Sequence, residues 1–233
     1  RDHSTLTLDG TGTVNSVGNN NYSMAVWADG GDVIINGGTY TNVGAGADTH
    51  YDLIYAKNGG TVTINGGTFI AHTTKWTRNT NDSNGTITVK GGTFYKYNPS
   101  EVYTEPTQPK NFVAEGYEVK ADDDYYVVSP SAETAFRQAM AQGGNVTLTE
   151  DIQLDAAVEV TNTVVLDLNG HNISMTENDT EGNGVFWVKA GGDLTINGEG
   201  EIDGVGGSEY TMAIWADGGK VTINGGEYTN VGA

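Results

Sequence analysis

VIINGGTY at residues 33–40, VTINGGTF at 62–69, ITVKGGTF at 87–94 and VTINGGEY at 221–228 are four copies of one pattern, and that pattern decides the fold. Side chains alternate across a strand, so Val221 and Ile223 share one face and Thr222 takes the other. Asn224, Gly225 and Gly226 then supply a turn, because asparagine and glycine tolerate positive φ. Tyr228 follows and sends an aromatic ring back to the interior, as do Tyr40, Phe69 and Phe94 in the sister copies. Degenerate copies stand at 6–14 (LTLDGTGTV), 165–173 (VLDLNGHNI) and 194–202 (LTINGEGEI). Successive copies start roughly 20 to 29 residues apart, the period of a solenoid. Stacking such coils pairs each strand in parallel with its neighbours at about 4.8 Å.

A second repeat is longer and stricter. Residues 22–45 (YSMAVWADGGDVIINGGTYTNVGA) return at 210–233 as YTMAIWADGGKVTINGGEYTNVGA, and the match runs back to Leu6 against Leu194, an offset of 188. Near-identity at solvent-facing as well as core positions points to duplication of a whole unit.

The boundary between units lies in the middle. All four prolines fall between Pro99 and Pro130, and residues 98–111 (NPSEVYTEPTQPKN) have the composition of a linker. Residues 112–128 predict a β-hairpin around Asp122-Asp123-Asp124. Ser131 then caps a helix whose Ala132, Ala135, Phe136, Ala139 and Met140 form one apolar stripe, ended by Gly143-Gly144. VTLTEDIQL at 146–154 opens new coils. The expected organisation is therefore coils of one unit over 1–97, linker and closing hairpin over 98–128, and capping helix with the first coils of the next unit over 129–233. A solenoid exposes an apolar cross-section and unpaired strand edges at its ends, so a helix at the start and a hairpin at the finish are the caps it needs. Both chain ends fall inside coils, as expected of an excerpt from a longer protein or, failing that, of a head-to-tail filament.

Composition fits this reading and narrows the partners. The 34 glycines of the 233 residues recur at fixed places between apolar alternations, which rejects disorder. A formal net charge of −19 argues against nucleic acid and anionic membrane as partners. With no cysteine there is neither a disulfide scaffold nor a thiolate metal site. No apolar run approaches membrane-spanning length and no signal peptide opens the chain.

Together the VTINGG-T-[FY] copies, the helix-to-VTLTEDIQL opening at 131–154 and the closing FVAEGYEV…YYVV element resemble the right-handed parallel β-helices of the pectate-lyase-like superfamily. Within it, they resemble the repeat regions of bacterial surface adhesins and phage fibres. The resemblance implies an all-β, right-handed parallel β-helix in tandem units, with a short capping helix and a terminal β-hairpin. It reaches fold rather than activity, since the superfamily holds lyases, hydrolases, tailspikes and inert stalks.

Candidate sites are few. Residues 71–85 (AHTTKWTRNTNDSNG) interrupt the coil pattern, and His72, Lys75, Trp76 and Arg78 gather there in an otherwise acidic chain. An exposed indole beside cations can stack on a sugar ring or grip an acidic partner; the alternative is a long loop folded over its neighbour. Trp27, Trp187 and Trp215 sit in strands ahead of Gly-Gly pairs. Counted back from those pairs, both alternating sets contain large apolar residues, which leaves an outward platform and an inward core both open. Asn36, Asn65, Asn169, Asn197 and Asn224 predict an asparagine ladder along the axis. Asp122–Asp124 read as a solvated turn, and His171 as exposed without metal-ligand spacing.

No carboxylate pair recurs beside a basic partner, as polysaccharide cleavage requires. The expectation is a non-catalytic structural or adhesive repeat protein, extracellular or on a cell surface or virion, without cofactor. Its partners would be like units and a surface glycan, with no nucleic acid and no membrane insertion. A polysaccharide-active enzyme or tailspike-like depolymerase is the competing expectation.

Overall fold

The computed structural model describes residues 4–16, 24–42, 53–71, 79–82, 84–104, 108–176, 184–204 and 212–230. The chain is a parallel β-solenoid, predominantly strand with one short helix, and it divides into two units, Arg1–Pro130 and Ser131–Ala233.

In the first unit, three strand columns make the walls. Thr5–Leu8, Asp32–Ile35, Thr61–Ile64 and Thr86–Val89 form the first sheet, and Val26–Asp29, Ile54–Lys57 and Asn79–Asp82 the third. The second holds Thr13–Asn15, Thr39–Thr41, Thr68–Ile70 and Gly92–Tyr95, each pairing in parallel with the next. The alternation read from the sequence sets what is inside: Val33, Ile35, Val62, Ile64, Ile87 and Val89 are all buried, and the residues between them face out. The aromatic column is interior as expected. Tyr40 stacks on Phe69 at 5.2 Å and Phe69 on Phe94 at 4.8 Å, both pairs tilted by only 11°. The single polar atom that Tyr40 adds is satisfied, since its hydroxyl donates to the Gly37 carbonyl (2.9 Å).

Glycine at the corner after the first sheet is dictated by how closely coils approach. A Cβ on Gly66 would lie 2.8 Å from the Asn36 carbonyl oxygen, and one on Gly91 2.3 Å from that of Asn65. The turn is thus a stacking requirement as well as a matter of φ.

The hairpin caps this unit's second sheet. Tyr125–Pro130 runs antiparallel to Gly92–Tyr95 on one side and to Tyr117–Asp122 on the other, which ends the parallel stack. Expected over 112–128, the hairpin in fact begins at Tyr117. Residues 112–114 do something else: Phe112 is buried and Val113 bridges Val89 in parallel, adding one rung to the first sheet. The linker stretch belongs to this unit and carries an antiparallel pair, Val102–Thr104 with Gln108–Lys110.

The second unit starts with the helix Ala132–Gln142. Ser131 accepts from the Thr134 N–H at its N-terminus, and Gly143 (φ 78°) ends it. Phe136 and Met140 are buried against the first coil, with Phe136 edge-on to Phe186 at 6.3 Å. Gly144–Thr147, Thr163–Asp167, Asp193–Asn197 and Lys220–Ile223 form the first sheet, and Ile152–Leu154, Ile173–Met175, Glu201–Asp203 and Glu227–Thr229 the second. Val158–Val160, Phe186–Lys189 and Ile214–Asp217 form the third.

Duplication extends to the register. Thr5 lies opposite Asp32 and Thr13 opposite Thr39, while Asp193 lies opposite Lys220 and Glu201 opposite Glu227, the same pairs shifted by 188.

Candidate functional site

The outer face of the third sheet carries an array of aromatic and charged side chains. Trp27 lies opposite Tyr55, and Trp187 opposite Trp215. All four point away from the core, which corrects the alignment counted back from Gly-Gly. That count is one residue out because Asn58 and Ala190 lengthen two of the turns. The strand pairing, not the glycine pair, sets the register, and the neighbours Val26, Ile54, Phe186 and Ile214 take the inward positions.

In the second unit the Trp187 and Trp215 rings are parallel within 2° at 5.0 Å. Lys189 lies 3.8 Å from the Trp187 centroid while pairing with Glu159 on the preceding coil (2.6 Å). Cation and second indole therefore cover opposite faces of Trp187. Its Nε1 donates to the Asp217 carboxylate at 3.2 Å. In the first unit Lys57, on the following coil, sits 4.7 Å from the Trp27 centroid and pairs with Asp29 (3.6 Å). Tyr55 meets Trp27 edge-on at 5.9 Å. Such a column ties coils together; Trp187 has both ring faces covered, while Trp27 remains 50% exposed.

The asparagine ladder forms, with one member replaced. Asn65 Nδ2 donates to Asn36 Oδ1 (2.8 Å), Asn36 Nδ2 to Asp9 Oδ1 (2.7 Å), and Asn224 Nδ2 to Asn197 Oδ1 (2.8 Å). Asn169 is not in it. Asp167 occupies the position opposite Asn197, and Asn169, at φ 50°, donates instead to the Leu148 carbonyl (3.0 Å). The left-handed turn Asn169-Gly170 puts this asparagine two residues beyond the column.

Acidic groups on the second unit's second sheet are also used between coils. A shallow groove of about 270 Å³ is lined by Asp151, Asn172, Glu201 and Asp203, among others. Asp151 Oδ1 accepts from the Asn172 N–H and Asn172 Oδ1 from the Glu201 N–H, both at 2.9 Å, and Glu201 accepts from the Thr229 hydroxyl at 2.7 Å. His171 is half-buried, with Nδ1 3.5 Å from Asp151. The Asp122–Asp124 tip is exposed, and Asp124 pairs with Lys96 at 3.6 Å. Among the described residues no three His, Asp or Glu side chains are placed to hold a metal.

One charge cluster eluded the sequence reading. Arg137 on the helix donates twice to Glu133 (2.9 and 2.7 Å), once to Asp155 (3.0 Å), and to the Ala156 and Ala157 carbonyls. A hydrogen bond shared with the Glu133 carboxyl, together with the Arg137 guanidinium, holds the Asp155 carboxyl below its ordinary range against a smaller opposing cost of burial. The i, i+4 spacing of Glu133 and Arg137 was the available signal. The cluster latches the cap to the first coil. The expected ligand-binding residues His72, Lys75, Trp76 and Arg78 lie outside the described residues.

These features define a parallel β-solenoid whose polar and aromatic side chains are largely spent on joining one coil to the next. No protein-family model, curated protein or solved structure matches the chain.

Proposed function

We propose that the chain is part of a non-catalytic, tandem-repeat fibre or stalk displayed outside the cell or on a virion. The observation that carries this is the duplication at an offset of 188, which over 24–42 repeats solvent-facing residues as well as the core and keeps the strand register. Repeating a whole capped unit extends reach and presents the same face many times, so that weak contacts add through multivalency. The acidic surface keeps such a rod soluble. Under this proposal the stretch holding His72, Lys75, Trp76 and Arg78 is the contact for a surface glycan.

The test is direct. The intact protein, imaged by negative stain after trypsin treatment, is expected to survive as a rod, and polysaccharides incubated with it are expected to yield no new reducing ends or unsaturated products. A compact particle that depolymerises a polysaccharide would overturn the reading in favour of a tailspike-like enzyme.

A further inference from the structure

All four exposed large hydrophobic residues among those described lie on two coils: Leu6, Val14 and Trp27 on the first coil of the first unit, and Ile223 on the last coil of the second. The duplication shows what each position looks like when covered. Leu6, Val14 and Trp27 are 53%, 39% and 50% exposed, whereas their equivalents Leu194 and Ile202 are 0% exposed and Trp215 is half-buried. The cover in the second unit is one coil, made of Thr163–Asp167, Ile173–Met175 and Phe186–Lys189.

We infer that the open first coil of the first unit is a docking edge for a coil of this kind, supplied by a further copy of the repeat. The complete 188-residue unit would then read as residues 131–192 followed directly by 5–130. Backbone and side chains both fit. Thr163–Asp167 would pair with Thr5–Asp9, Ile173–Ser174 with Val14–Asn15, and Phe186–Lys189 with Val26–Asp29, each in the register the second unit already uses for the equivalent residues. Trp187 would stack on Trp27 as it does on Trp215, and Asp29 would accept from the indole as Asp217 does. Trp27 then gains an indole on one face while Lys57 keeps the other.

Stacking the last coil of one copy on the first coil of another is a poorer solution. The first and second sheets would continue from Lys220–Ile223 to Thr5–Leu8 and from Glu227–Thr229 to Thr13–Asn15, but the third would lack a strand between Ile214–Asp217 and Val26–Asp29. Asn224 Oδ1 would also face the Asp9 carboxylate, which has no proton to donate. The inferred edge has one mismatch of its own. Asp9 stands where Asn197 stands in the second unit, so it would oppose Asp167 with like charge.

That mismatch makes the test specific. Residues 131–192 are added directly ahead of Thr5 in the otherwise unchanged chain, and in a second protein only 163–192 are added. Expected results are an upward shift in the melting temperature of the first unit and a fall in acrylamide quenching of Trp27 to the level of Trp215. An exciton couplet lost on Trp187→Ala in the added copy is expected as well. Asp9→Asn should raise the melting temperature further in the extended protein and not in the parent. If Trp27 stays as open to quencher as in the parent in both proteins, whether the added segment is folded or unfolded, the inference is wrong. The fibre reading is untouched by that result, because it is tested by shape and by polysaccharide cleavage.

Discussion

Phe69→Ala tests whether the interior aromatic column holds the first unit together. Phe69 is fully buried between Tyr40 and Phe94, 5.2 Å from one ring and 4.8 Å from the other. Removing a buried phenylalanine costs about 3–5 kcal/mol, and the spread depends on how far neighbours collapse into the cavity. Collapse is blocked here. Tyr40 and Phe94 sit on coils whose spacing is fixed by parallel ladders, Tyr40 opposite Phe69 and Phe69 opposite Phe94, so neither ring can close the gap without breaking backbone pairs. Two ring stacks, each worth about 0.5–1.5 kcal/mol beyond area burial, are lost as well. The expected cost is the upper part of that range, about 4–5 kcal/mol, a large share of the 5–15 kcal/mol that holds a typical domain together. Phe69→Leu, which keeps most of the volume, should cost about 1.5 kcal/mol. Urea unfolding followed by circular dichroism gives the magnitude. Hydrogen exchange read by mass spectrometry gives the place: protection should fall in 26–41, 54–70 and 86–95 and hold in 144–203. A Phe69→Ala cost below about 1.5 kcal/mol, or a leucine variant as weak as the alanine one, would refute a rigid ladder around this ring.

Gly91→Ala should cost about 2 kcal/mol or more in urea melts, because its Cβ would sit 2.3 Å from a backbone oxygen; Gly12→Ala, with nothing within 4 Å, should stay within about 0.5 kcal/mol of the parent. Arg137→Gln should loosen the helix cap by about 1–3 kcal/mol, seen as faster exchange in 132–142. The Asp155 carboxyl is held below its ordinary value, so its contribution is complete above the unfolded value of about 3.9 and is lost as pH falls through the lower folded one. Arg137→Gln should weaken that acid dependence of the melting temperature only in part, because the hydrogen bond shared with Glu133 is the larger cause. Burial, and then the Asp9 carboxylate, raise the Tyr40 hydroxyl above its ordinary value. Folding therefore favours the neutral phenol, and stability should fall as pH rises past the unfolded value of about 10. Tyr40→Phe should remove that alkaline component while leaving the unfolding free energy at neutral pH within about 1 kcal/mol of the parent.

What could be read from the sequence were features with a strict period. Val33, Ile35, Val62 and Ile64 announce an inward face by alternation, and Tyr40, Phe69 and Phe94 announce a column by constant distance from Gly-Gly. Ser131 and the Phe136–Met140 stripe announce the helix. Reading failed where a turn changed length. Asn58 and Ala190 each add a residue between strand and glycine pair, which shifted the apparent register of the third sheet and left the tryptophans undecided. Asn169 looked like a ladder member because it precedes a glycine, yet the ladder follows strand register, which selects Asp167. Arg137 was passed over for a different reason: its partners Asp155, Ala156 and Ala157 are distant in sequence and meet it only after the first coil has closed under the helix.

The third-sheet column also bears on where a glycan could bind. Sugar rings stack on the open faces of aromatic side chains. Trp187 has both faces taken, by Lys189 and by Trp215, and Trp27 has one face taken by Lys57. Once the neighbouring coil is added, Trp27 too is enclosed. A complete stack therefore offers ring edges along this wall, and its exposed Lys–Asp and Lys–Glu pairs are already matched with each other. Glycan contact is better sought at Trp76, which lies outside the repeating sequence pattern. On a glycan array, Trp76→Ala should abolish binding by the intact protein, while Trp187→Ala should lower the melting temperature of the second unit and leave binding unchanged. The reverse outcome, binding lost with Trp187 and kept without Trp76, would mean that the column opens to ligand and that its stacking is not its main role.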